Sequence, residues 1–160
     1  MQFATIHTKF LGGNDGSNDL NSSEFLSLSN GSQPGPQLQY GISFHCVIKI
    51  DPKTALVIGG LQDGVTSKDT WIINLANENN SFKKGPSLKM GRRLMSCGKM
   101  SDTNGESIFV AAGGKDQFGG TLQSVEILHS LEGSWNFGIL IQVNDHICRY
   151  VHRFCICLRA

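Results

Sequence analysis

Between Phe44 and Leu88 the chain alternates short apolar runs with polar breaks. "FHCVIKI" is the first run, and Asp51-Pro52-Lys53-Thr54 supplies a turn. "ALVIGG" is the second run, "TWIINL" the third, and "SFKKGPSL" the fourth and least regular. Trp71, Ile73 and Leu75 fall on one side of the third run, the period-2 pattern of a half-buried strand. The second run is apolar throughout, as expected of a strand covered on both faces. The pattern predicts four short strands.

The same unit returns. An apolar run ends on two glycines in "KFLGG" at Gly13, "LVIGG" at Gly60 and "FVAAGG" at Gly114, at intervals of 47 and 54 residues. Gly35-Pro36-Gln37-Leu38 reappears 50 residues later as Gly85-Pro86-Ser87-Leu88, and Cys46 reappears 51 residues later as Cys97. Thr70-Trp71 and Ser124-Val125 each start ten residues after a second glycine. Phe82 and Trp135 each stand three residues before a glycine, Gly85 and Gly138. A side chain at the end of the second strand would collide with an adjoining sheet, and the sharp turn there calls for φ > 0. Both constraints select glycine.

These features resemble the Kelch repeat. The resemblance covers residues 5–138, in units of about 5–42, 43–93 and 94–138, and the first unit lacks a clear first strand. It implies an all-β fold: a partial Kelch-type β-propeller of two complete four-stranded blades and one incomplete, followed by a non-repeat tail over 139–160. The family's Tyr at the end of the third strand is replaced by Asn74 or Leu75 and by Leu128. Its Trp is Trp135 in one unit, Phe82 in another and Ser32 in the first. Propellers close with about four to eight blades, so three units leave the array open. A truncated or alternatively spliced product, or a gene-model fragment, is expected, and it should self-associate through uncovered end faces.

Composition narrows the function. Nineteen glycines in 160 residues favour turns and short strands, and a net charge of +1 argues against bulk binding to nucleic acid or an acidic membrane. The opening "MQFATIHTKFLGG" has no basic region followed by an apolar core, and no signal peptide is read there. Five cysteines do not suggest a disulfide framework, so a reducing, cytoplasmic setting is the default. Cys46 and Cys97, in the same repeat phase, read as core thiols. His45 lies on the opposite strand face from Cys46 and cannot readily activate it.

Other candidates reduce to plain structure. "NDGSND" (14–19) is oxygen-rich but lacks the EF-hand glycine and glutamate, which leaves a solvated loop. Cys148, Cys155 and Cys157 with His146 and His152 match no zinc spacing. The sequons at Asn21, Asn30 and Asn79 are near chance frequency in so Asn- and Ser-rich a chain. No nucleophile elbow or Walker loop is present, and the S-x-x-K matches at Ser81 and Ser96 lack companion motifs. No cofactor is expected. Lys83, Lys84, Lys89, Arg92, Arg93 and Lys99 form a cationic run without an intervening acid. The first five are the candidate contact residues for an acidic protein partner. By resemblance the chain is a non-catalytic protein-interaction module, an adaptor or scaffold fragment. The alternative is a fragment of a galactose-oxidase-like propeller enzyme whose active site lies outside this chain.

Overall fold

A computed structural model describes residues 7–27, 31–35, 37–74, 82–101 and 104–138. Leu75, Ser81, the sequons at Asn30 and Asn79, and the 139–160 tail with its cysteines and histidines lie outside them. Every regular element in the described residues is a strand, and the sheets are antiparallel throughout. The first sheet has the order β1 (His7–Leu11), β2 (Ser23–Ser27), β3 (Gly31–Pro34). After β4 (Ile42–Ser43), the second sheet is built from β5 (Cys46–Asp51), β6 (Thr54–Ile58), β9 (Thr70–Asn74) and β10 (Phe82–Lys84), each paired with the next. Between β6 and β9, β7 (Leu61–Gln62) and β8 (Val65–Thr66) form a hairpin that pairs with β4. The third sheet runs β11 (Ser96–Ser101), β12 (Ser107–Ala112), β13 (Val125–Leu128), β14 (Asn136–Phe137). These are two four-stranded blades and one without its first strand, in an array that does not close on itself.

Alternating side chains place two apolar layers between the sheets. Val57 and Ile73 of the second sheet pack with Leu38 and Ile42 toward the first, with Leu11, Trp71 and Phe82 against them. Ile48, Leu56 and Ile58, on the other face, pack with Cys97, Phe109, Ala111, Leu128 and Trp135 of the third. The middle strand β6 is therefore buried on both faces, which is why it reads as continuously apolar.

The register corrects one reading from the sequence. Cys46 pairs with Ile58, and Ser96 with Ala112, the residue that likewise precedes a glycine pair. Ser96, not Cys97, is thus the counterpart of Cys46. One step along a strand reverses the face. Cys46 points from β5 toward the third sheet and Cys97 from β11 back toward the second, and the two form a disulfide. They are not free core thiols, and the argument for a reducing compartment falls with that reading, since disulfides persist in oxidising surroundings. Loop closure over a sequence separation of 51 is worth about 4 kcal/mol in the chain-entropy model.

The glycine pairs sit at the joints between sheets. In each pair both residues have positive φ: 61° and 128° at Gly12-Gly13, 56° and 96° at Gly59-Gly60, 64° and 92° at Gly113-Gly114. At the first two pairs the segment leading into the next sheet passes directly in front of the glycines. A Cβ on Gly12 would lie 2.2 Å from the Ile42 carbonyl oxygen, and one on Gly59 would lie 2.4 Å from that of Arg92. The same two carbonyls accept hydrogen bonds of 2.8 Å from Gly13 N and Gly60 N. The second glycine of a pair also abuts the segment leading into its own sheet: a Cβ on Gly60 would lie 2.5 Å from Ser43 O, and one on Gly114 would lie 2.5 Å from Arg93 O. Each lead-in is gripped from both sides.

Gly64, on the β7–β8 turn, has φ +79° but open space around its Cβ position. Gly64→Ala is therefore expected to cost only the left-handed backbone penalty, about 1–2 kcal/mol. Gly60→Ala adds backbone collision and should cost several kcal/mol in all. Denaturant titration of the two variants measures the difference, and equal losses would mean the joint does not depend on close approach. Non-reducing peptide mapping should recover Cys46 and Cys97 as one linked species, and Cys46→Ser should lower stability by about 2–4 kcal/mol.

Candidate interaction surface

The cationic run spans the edge strand β10, the lead-in to the third sheet, and β11. Its members have different fates. Lys83, Lys84 and Lys89 are exposed, while Arg93 is half-buried, with its backbone N–H bonded to Lys115 O. Lys84 Nζ lies 3.1 Å from Asp69 and 5.9 Å from the Trp71 ring centroid. Lys99 donates to the Ile50 carbonyl at 2.7 Å.

Arg92 does not belong to the surface at all. Its side chain and that of Glu126 are both 0% exposed, and Nη2 meets Oε1 at 2.7 Å. Arg92 Nη1 donates to Gly113 O and Ser124 O at 2.9 and 3.0 Å, and Nη2 also donates to Ser124 Oγ. The Glu126 carboxylate accepts the backbone N–H groups of Lys89 (2.7 Å) and Met90 (3.1 Å). The pair thus fixes the lead-in to the third strand of the sheet it enters, and Arg92 cannot serve as a partner contact. Sequence reading missed this because the counter-charge is 34 residues away in the chain. The usable signal was spacing: Arg92 follows Leu88 of the GP-x-L motif by the same interval at which Ile42 follows Leu38.

The hydrogen bonds make that correspondence structural, since Gly13 N and Gly60 N bond Ile42 O and Arg92 O respectively. Glu126 likewise corresponds to Trp71, because Val57 pairs with Trp71 and Ala111 with Glu126. The first joint therefore holds an apolar pair where the second holds a buried ion pair. Beside the apolar pair a cleft of about 430 Å³, including its open mouth, is lined by Leu11, Leu38, Tyr40, Trp71 and Phe82.

The loops at the glycine end carry large exposed apolar side chains. Phe118 is 96% exposed at a loop tip where Asp116 Oδ1 accepts the N–H groups of Phe118 and Gly120. Val65 at the start of β8, and Phe44 and Leu94 on the two lead-ins, are also exposed. Leu94 N donates to Phe44 O at 2.9 Å, so the lead-ins are neighbours. Thr66 N donates to the Gln117 side chain, which joins the two loops. Phe44 and Leu94 occupy equivalent positions and share positive φ, 50° and 55°. For bulky side chains this conformation is unfavourable, and here it turns both outward.

The "NDGSND" loop is structural. Asp15 Oδ1 accepts Ser17 N and Asn18 N, while Asp19 accepts Ser43 Oγ, Asn14 Nδ2 and Gly64 N, tying the first sheet's loop to the second's. Burial pushes the Asp19 carboxyl up, but the donors outweigh it and hold the group below the ordinary value. His45, beside the disulfide, is half-buried and has its pKa lowered by desolvation. Asn21 is exposed.

Removing one member of a buried ion pair leaves the other uncompensated, so Arg92→Met should cost about 3–5 kcal/mol. Adding Glu126→Leu recreates the apolar solution of the first joint and should recover at least about 1 kcal/mol of that loss. The recovery is incomplete because Lys89 N and Met90 N lose their acceptor. A double-mutant cycle by denaturation reads the coupling. Simple additivity would show that the pair acts as two independent side chains.

No family model and no curated protein matches the sequence. Among solved structures, the chain is similar to YjhT, with a TM-score of 0.62 at 12% identity over 76% of this chain and 39% of that one. It is also similar to a fungal alcohol oxidase of the AA5 family in complex with copper, with a TM-score of 0.61 at 11% identity over 78% of this chain and 28% of the oxidase. The chain thus spans well under half the length of either. Both neighbours are propeller-type folds, and the likeness establishes the architecture: three propeller-like blades, the first incomplete.

Proposed function

We propose that the chain is a non-catalytic protein-binding module, an adaptor or scaffold segment of Kelch-like type. The observation that carries this reading is the glycine-end surface, where Phe44, Val65, Leu94 and Phe118 stand exposed on adjoining loops. Large exposed apolar side chains gathered on loops of a rigid scaffold are the usual anchors of protein contact. Their support is stiff, since both lead-ins are clamped by glycine joints, and little entropy is lost when a partner docks.

The exposed cations add a second element. Lys83, Lys84 and Lys89 present positive charge along the outer edge of the second blade and its exit, with half-buried Arg93 nearer the joint. An acidic partner is steered toward them, and the attraction weakens with salt. The similarity to a copper-bound oxidase supports a second reading, an enzyme fragment. Among the described residues no three His, Cys, Asp or Glu side chains group to hold a metal. That reading therefore places the copper site outside the described residues, where copper titration of the parent protein would detect it.

The test is affinity capture with the chain, followed by titration of each recovered partner. Phe118→Asp should weaken binding at least about tenfold without loss of stability, because its side chain makes no packing contribution to the fold. Lys83→Ser with Lys84→Ser and Lys89→Ser should slow association and flatten its salt dependence. Partners unaffected by either change would overturn this assignment of the surface.

A further inference from the structure

One position points outward in every unit. Ser23, Thr70 and Val125 correspond, since they pair with Leu11, Ile58 and Ala112, the residues that precede the glycine pairs. All three are buried. Two residues before them stand Asn21, Lys68 and Gln123, and all three of these are exposed. In the first two units the same bond holds the backbone there: Leu38 N donates to Asn21 O at 2.6 Å, and Leu88 N to Lys68 O at 2.8 Å. The fold therefore turns this side chain into solvent whichever residue occupies the position. In the first unit that residue is an asparagine, in Asn21-Ser22-Ser23, an acceptor sequence for N-linked carbohydrate.

We infer that Asn21 is a modification site that carries an N-linked glycan, added in an oxidising, secretory compartment. The number of sequons does not carry this in so Asn- and Ser-rich a chain. Two independent observations do. Cys46 and Cys97 form a disulfide between two blades, with Cα atoms 6.0 Å apart, and such links form and persist in the oxidising compartments where N-glycosylation also takes place. Asn21 is exposed on an anchored backbone, its own carbonyl bonded to Leu38 N and that of Ser22 accepting Gly12 N at 2.8 Å, so a bulky group there projects from a fixed point without disturbing the core. The donor is an oligosaccharide linked to a lipid pyrophosphate. A bond forms between Asn21 Nδ2 and the anomeric carbon of the first sugar while the bond from that carbon to the pyrophosphate oxygen breaks. The amide loses one proton, and the lipid pyrophosphate departs. Acceptor recognition needs the hydroxyl of Ser23, which the folded first sheet buries to 3% exposure. Transfer therefore precedes the closing of β2 against its neighbours.

Peptide mapping of the full chain, recovered from cells that make it and treated with peptide N-glycosidase in heavy-oxygen water, tests the proposal. The enzyme should lower the mass of the intact chain and convert Asn21 to a heavy-oxygen-labelled aspartate, located by fragmentation. The same preparation, mapped without reduction, should contain the Cys46–Cys97 link. Asn21→Gln should abolish the label at this position and leave the unfolding midpoint unchanged, because the side chain is exposed. Ser23→Ala should also abolish the label although Asn21 is still present, and Ser23→Thr should restore it. Both are read on peptides, so the result stands even where the variant folds poorly. Unlabelled Asn21 in chains that carry the disulfide overturns the inference. So does recovery of the chain with Cys46 and Cys97 both as free thiols, or a label that survives Ser23→Ala.

Discussion

A peptide carbonyl passing within contact distance of two glycines is the interaction on which the rest of this molecule depends. It sets how closely one sheet follows another, because the lead-in is held between the first glycine of the preceding sheet and the second glycine of its own. Hydrogen bonds from Gly13 and Gly60 to Ile42 O and Arg92 O fix its position along the strand axis as well. Once the lead-in is placed, the inner strand that follows can take only one register. The apolar faces of consecutive sheets then meet without further instruction. Side-chain packing fills a spacing that the backbone has already determined.

The two joints show how loosely that spacing constrains chemistry. Ile42 with Trp71 and Arg92 with Glu126 occupy corresponding places, one pair apolar and the other charged. The buried pair is tolerable because nearly all its polar atoms are matched, the carboxylate by two backbone N–H groups and the guanidinium by two carbonyls and a hydroxyl. Exchange of both members together is consistent with the rule that half of such a network is worse than none. The Cys46–Cys97 disulfide adds a covalent tie at the second joint. That joint is the more strongly fastened, and it is also the one that supports Leu94 and, through its loop, Phe118.

Much of this was legible in the residues. The repeat of glycine pairs gave the strands, their order and the incomplete first unit, because glycine at a strand end and period-2 apolarity are local consequences of the backbone. What escaped depended on single-residue register. Spacing from the glycine pair aligned Thr70 with Ser124, whereas the strands align Thr70 with Val125 and Trp71 with Glu126, since the loop before β13 is one residue longer. Counting fifty-one residues from Cys46 to Cys97 suggested one phase, yet the strands repeat at fifty, and the extra residue turned one thiol to face the other. Charge misled for a related reason: a run of cations looks solvated until the distant partner is found, and Glu126 reaches Arg92 only through the sheet.

The division between what the joints fix and what they leave free bears on function. Residues gripped by the joints cannot vary singly without loss of stability, and Arg92 is among them despite its charge. The side chains that project from the same segments have no such duty. Phe44 and Leu94 hold a left-handed backbone because the lead-in must bend there, and the bend expels their side chains into solvent. The constraint that aligns the sheets therefore also displays apolar groups at regular positions on one end of the array. A surface built this way is rigid in its backbone and open in its chemistry, and that combination is what supports the proposed reading of a partner-binding module.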